Sequence, residues 1–98
     1  MKFEWDAGKA ASNRRKHGVS FEEATTVFVD PFAIRIHDEA HSTGADVRWI
    51  LIGLSVRTPV LFVVFCEVEA SVIRIISARK ATSGERRDYE ENRDSHGG

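Results

Sequence analysis

The 98-residue chain has one cysteine, two prolines, no long hydrophobic run and almost no net charge, −1 at neutral pH. A single cysteine, Cys66, excludes an internal disulfide, and its place inside the most apolar segment reads as a small buried hydrophobe. The two prolines fall at segment ends, Pro31 after a helix and Pro59 in a turn. The longest apolar stretch, 59–66, is far too short to cross a bilayer. Met1-Lys-Phe-Glu-Trp5 opens a strand rather than a signal peptide, so a cytoplasmic protein is expected. With a pI of about 6.4, the chain exerts no global pull on nucleic acid, and any such activity must come from a local patch.

The composition is that of an ordinary soluble domain, 42% apolar and 30% charged. The length allows one core, with a single domain expected over 1–93 and a loose polar tail over 94–98. Charge is segregated along the chain. Cations gather at Arg14-Arg-Lys-His17, Arg79-Lys80 and Arg86-Arg87, and acids at Glu22-Glu23, Asp38-Glu39 and Glu90-Glu91.

The first strand is expected over 2–5. Asp6 is placed to cap a helix over 7–17, which Gly18 ends. Ser20-Phe-Glu-Glu23 has capping-box spacing and opens a second helix over 21–28, stopped by Asp30-Pro31. The period then changes from helical to alternating. Strands are expected over 32–37, 47–55, 60–67 and 71–77, with a polar loop over 38–46. The segment 60–64 is apolar on both faces and belongs in the middle of the sheet. A second capping box, Thr82-Ser-Gly-Glu85, starts the last helix, expected to end near Asn92. The fold class is therefore α+β: a four- to five-stranded, mainly antiparallel sheet with two N-terminal helices and one C-terminal helix, in the order β-α-α-β-β-β-β-α. Three helices are expected to cover one side of the sheet. Apolar residues of the third strand, Ile50, Ile52 and Leu54 or Trp49 and Leu51, are then left as spare surface for a partner.

Several separated segments resemble the BrnT family. They are Phe3-Glu-Trp-Asp6, Lys9, Asn13, Lys16-His-Gly-Val-Ser-Phe-Glu-Glu-Ala24, Phe28, Asp30-Pro31, His41-Ser42, Arg48, Ile52-Gly53 and Arg74-Ile-Ile-Ser-Ala-Arg-Lys-Ala81. The resemblance runs from Phe3 to about Glu90. It implies a toxin of a type II toxin–antitoxin module with a RelE-like fold that cleaves RNA. It also implies a ribbon-helix-helix antitoxin similar to BrnA, a 2:2 complex, and operator DNA reached only through that antitoxin. No cofactor or metal is implied. Toxins of this type are usually basic, whereas this chain is slightly acidic. That difference leaves open a second reading, a non-catalytic module that binds the antitoxin and helps repress its operon.

Metal-free RNA cleavage needs a base, an acid and cations that stabilise the phosphorane. Arg79 and Lys80, at the end of an apolar strand, pair a planar phosphate fork with a mobile point charge; their alternative is a solvated pair at a helix entry. Lys16 and His17 end the first helix, where they either do chemistry or complement the helix dipole. His41 and Arg48 flank the polar loop, where no packing reason explains a histidine. These six are the catalytic candidates. Arg74, Arg86 and Tyr89 are the RNA-binding candidates, with Tyr89 either stacking on a base or packing its ring onto the sheet.

Overall fold

The structure, a computed structural model, describes residues 1–97. In chain order it contains β1 (Lys2–Glu4), α1 (Ala7–His17), α2 (Phe21–Thr26), β2 (Ile34–His37), β3 (Trp49–Leu54), β4 (Val60–Glu69), β5 (Val72–Lys80) and α3 (Ser83–Gly97). Short 3₁₀ turns occupy Val27–Val29 and Glu39–His41. The five strands form one sheet in the order β1-β5-β4-β3-β2. Strands β2 to β5 are an antiparallel meander, and β1 pairs parallel to β5 at one edge.

The doubly apolar β4 lies in the middle, as its pattern requires. Leu61, Val63 and Phe65 point toward α1 and α2 and share a core with Phe21, Ala24, Val27, Ile75 and Ala78. Val60 and Phe62 point the other way. Both faces therefore need cover, and the three helices divide between them. Helix α3 crosses to the second face, where Tyr89 packs with Ile52 and Val60. This corrects the expectation of three helices on one side. Part of the spare surface assigned to β3 is covered as well: Ile52, beneath α3, is only 3% exposed, and Leu51, in the core on the opposite face, 7%.

Local chemistry explains the element ends. Asp6 accepts the Lys9 N–H at 2.8 Å, and Gly18 closes α1 in the left-handed region with φ 71°. Ser20 caps α2, but Glu23 does not reach back to complete the box; its carboxylate accepts the Ser55 hydroxyl at 2.8 Å. Helix α2 ends at Thr26 and passes into the 3₁₀ turn, because the Thr25 and Thr26 hydroxyls bond back to the Glu22 and Glu23 carbonyls. Strands β4 and β5 run longer than expected, and their turn falls on Ala70 and Ser71, with Ser71 at φ 70°. Helix α3 continues past Asn92 to Gly97; Gly98 lies outside the described residues.

Two tethers position the helices. The buried Asn13 side chain donates to the Val19 and Ala78 carbonyls and accepts the Ala78 N–H, fixing α1 to β5. Asp30 accepts the N–H groups of Phe32 and Leu54 and the Tyr89 hydroxyl, fixing the end of the 3₁₀ turn to β3 and α3. Gly53 makes the close approach possible: a Cβ there would sit 2.8 Å from Val27 Cγ1 and 2.9 Å from Ala33 Cβ.

Candidate active site

Helix α3 leaves part of the second sheet face open. A cavity of about 350 Å³ lies there, lined by Ile50, Phe62, Val64 and Ser77 from β3, β4 and β5 and by Asp38, His41, Arg48 and Arg79. Alternation along β4 and β5 puts Phe62, Val64, Ser77 and Arg79 on this face, and their registers pair Phe62 with Arg79 and Val64 with Ser77. The polar loop between β2 and β3 supplies the rest.

That loop is cross-braced. The Asp38 N–H donates to the Arg48 carbonyl, the Ser42 hydroxyl donates to the Asp38 carbonyl at 2.6 Å, and the Arg48 N–H donates back to Ser42 Oγ at 2.9 Å. Thr43 and Asp46 exchange backbone hydrogen bonds inside it. The loop thus holds its side chains on a frame.

His41 Nδ1 lies 3.1 and 3.0 Å from the two carboxylate oxygens of Asp38. An ionised carboxylate only accepts, so Nδ1 carries the proton and Nε2 is left to take one up or, once charged, give one away. Arg48 donates through Nε and Nη2 to Asp46 at 3.3 and 3.2 Å. Arg79 donates in parallel to both oxygens of Glu85, at 2.8 and 3.0 Å, and its guanidinium lies 3.9 Å over the Phe62 ring. The Arg79 bond, outweighing burial, holds the Glu85 carboxyl below its ordinary value. Glu85 also completes its capping box, accepting the Thr82 N–H at 2.8 Å while Thr82 Oγ1 accepts the Glu85 N–H at 3.2 Å. Each cation of the cavity therefore has a carboxylate partner.

Of the six catalytic candidates, the structure brings His41, Arg48 and Arg79 together and separates the other three. Lys80 follows Arg79 on β5 and, by strand alternation, leaves the cavity for a groove at the sheet end with Pro59 and Thr58. Lys16 and His17 are exposed at the end of α1, which packs on the opposite sheet face. The RNA-binding candidates also lie elsewhere. Arg74 pairs with Glu4 across β1 and β5, and Arg86, 3.8 Å from Glu90, lines the groove at the sheet end with Lys80. Tyr89 is 1% exposed, with its hydroxyl donated to Asp30 at 2.6 Å, so its ring is core and cannot stack on a base. Sequence reasoning passed over Asp38, Phe62 and Ser77. The Asp38-x-x-His41 spacing was the available signal for the first; the other two are placed by strand register. Among the described residues, no three His, Cys, Asp or Glu side chains gather as a cation site. No described helix is long and apolar enough to cross a membrane.

The profile of the family described as "Ribonuclease toxin, BrnT, of type II toxin-antitoxin system" matches residues 5–85. The chain belongs to the BrnT family of ribonuclease toxins. The matched span holds every charged residue of the cavity and ends on Glu85, the clamp of Arg79. Among solved structures, the chain is similar to the crystal structure of the Brucella abortus ribonuclease toxin BrnT. The two are 25% identical, over 85% of this chain and 99% of that one, with a TM-score of 0.65. A search among curated proteins finds no significant match. The α+β fold with its five-stranded mixed sheet is thus that of a BrnT toxin, and as a type II toxin this one has an antitoxin partner.

Proposed function

We propose that the toxin is a metal-independent endoribonuclease and that the cavity between the β2–β3 loop and β5 is its active site. In this mechanism His41 Nε2 takes the proton from a ribose 2′-hydroxyl, and the 2′-oxygen attacks the adjacent phosphorus. Arg48 and Arg79 stabilise the added charge on the phosphorane. The 5′-oxygen leaves taking a proton from solvent water, giving a 2′,3′-cyclic phosphate and a 5′-hydroxyl end, and His41 then returns the proton it took to solvent. Asp38 keeps the imidazole in the required tautomer. The protein acts in the cytoplasm, where cleavage inhibits translation until a ribbon-helix-helix antitoxin similar to BrnA binds, in a 2:2 complex that reaches operator DNA only through that antitoxin.

The observation that carries this reading is the convergence of His41, Arg48 and Arg79 on one cavity from two separate chain segments. The test is RNA cleavage by the purified toxin in EDTA. Cleavage is expected to persist with chelator, and His41→Ala to lower it by about 10²–10⁴-fold, the usual share of one proton-transfer group. His41 is 72% exposed at its side chain, so the substitution leaves the fold intact. Cleavage abolished by EDTA and restored by a divalent ion would overturn the metal-free mechanism.

One observation favours the second reading, a non-catalytic co-repressor. Asp38, Asp46 and Glu85 already neutralise the cavity's cations. A toxin that binds its antitoxin but cleaves no RNA, with or without divalent ions, would decide for it.

A further inference from the structure

Two cavities of about 360 and 490 Å³ adjoin at the end of the sheet and share Thr58, Pro59 and Lys80. One runs along α3 and adds Arg86, Arg93 and Glu90; the other lies toward the α1–α2 turn and adds Arg57 and Glu23. Their charge differs in kind from that of the active-site cavity. Among the described residues Lys80 and Arg57 have no ion-pair partner, and Arg86 and Arg93 meet carboxylates only at 3.8 and 3.9 Å. Glu23 is turned to the Ser55 hydroxyl.

We infer that this groove is a second binding site, a phosphate track that grips single-stranded RNA outside the bond being cut, through Lys80, Arg57 and Arg86. The inference rests on the ribonuclease reading for its ligand. Continuity with the proposed active site favours RNA over an acidic protein segment. Lys80 directly follows Arg79 on β5, and Val60, in the groove, lies two residues from Phe62, in the cavity, about 7 Å along β4. The groove bends around the end of β4 and β5 from one sheet face to the other, a path that a flexible single strand can follow and a duplex cannot. Division of labour resolves the charge problem: closely paired cations act at the reacting phosphate, and unpaired or loosely paired ones supply the hold that a net charge of −1 does not.

The test is anisotropy titration of a short 2′-O-methyl oligoribonucleotide, which has no free 2′-hydroxyl and cannot be cut by this mechanism, between about 50 and 200 mM KCl. Lys80→Gln with Arg86→Gln is compared with Lys2→Gln with Arg87→Gln, which removes equal charge outside the groove. The groove pair is expected to flatten the log–log salt slope by about 1.4, roughly 0.7 for each phosphate no longer neutralised, and the control pair to leave it near the parent value. Equal slopes for the groove pair and the parent would overturn the inference. So would a groove pair that loses affinity for polyglutamate while keeping it for the oligonucleotide, which would assign the groove to an acidic protein. Failure of the ribonuclease reading shows separately, as absent cleavage of unmodified RNA by the parent.

Discussion

Arg79 and Glu85 are joined by two hydrogen bonds, of 2.8 and 3.0 Å, that lock the end of β5 to the first turn of α3. Glu85 is at once the cap of a helix and the clamp of a candidate catalytic cation. The start of α3 and the active-site cavity are thus one structural unit.

This unit makes stability sensitive to acid. The Glu85 carboxyl sits below its ordinary value of 4.5, chiefly through the Arg79 bond. Asp30 is also lowered: burial pushes it up, but donation from Tyr89, Leu54 and Phe32 outweighs burial. A carboxyl whose folded value is lowered contributes stability fully above its unfolded value and loses it as pH falls through the folded value. Urea midpoints are therefore expected to hold near neutrality and to drop below about pH 4.5. Glu85→Gln, which keeps the cap but not the charge, is expected to cost about 1–2 kcal/mol at pH 7 and to make the acid limb shallower. An unchanged acid limb would show that the pair does not couple to folding.

Asp38 acts on His41 and touches nothing else in the proposed chemistry. Asp38→Asn is expected to allow the wrong imidazole tautomer and to lower kcat for RNA cleavage between about 10- and 10³-fold, with KM little changed. Thermal stability should move little, since the loop keeps its Ser42 and Arg48 braces. A loss confined to KM would instead place Asp38 in substrate binding.

Tyr89 separates packing from recognition. Tyr89→Phe keeps the ring in its core position but removes a donor from Asp30, which keeps the Leu54 and Phe32 N–H groups. A loss of about 1–3 kcal/mol in denaturant unfolding is expected, with RNA affinity unaltered. Burial, then the Asp30 contact, pushes the Tyr89 hydroxyl up to about 12 from 10.0. A raised folded value means stability that is complete below pH 10 and lost as pH climbs toward 12, so the Phe variant should lack that alkaline loss. Weakened RNA binding in the Phe variant would restore Tyr89 to the interface.

The strand and helix pattern was legible because it is written locally. Asp6, Gly18, Ser20 and the Thr82–Glu85 box mark helix ends through hydrogen bonds spanning three or four residues. The double apolar run of β4 announces a central strand by side-chain alternation alone. His41 stood out as a loop histidine without a packing reason, Arg48 as the other flank of that polar loop, and Arg79 as a cation at the end of an apolar strand. Their grouping with Phe62 and Ser77 was not legible, because it depends on strand register and on which face α3 covers. Lys80 shows the difference most sharply. It stands next to Arg79 in the chain, yet strand alternation puts it on the other side of a sheet.

Composition and spacing alone determined an α+β fold, its element types and its central strand, since each depends on local hydrogen bonding or apolar periodicity; the ribonuclease toxin family was marked by the resemblance of its ordered motifs and shown by the family match. Tertiary structure decided which cations share a cavity, which carboxylates neutralise them, and that Tyr89 belongs to the core. Those outcomes follow from β4 and β3 being apolar on both faces. Burying both sides sends α3 across the sheet, and the part of that face it leaves open is where the charged groups meet.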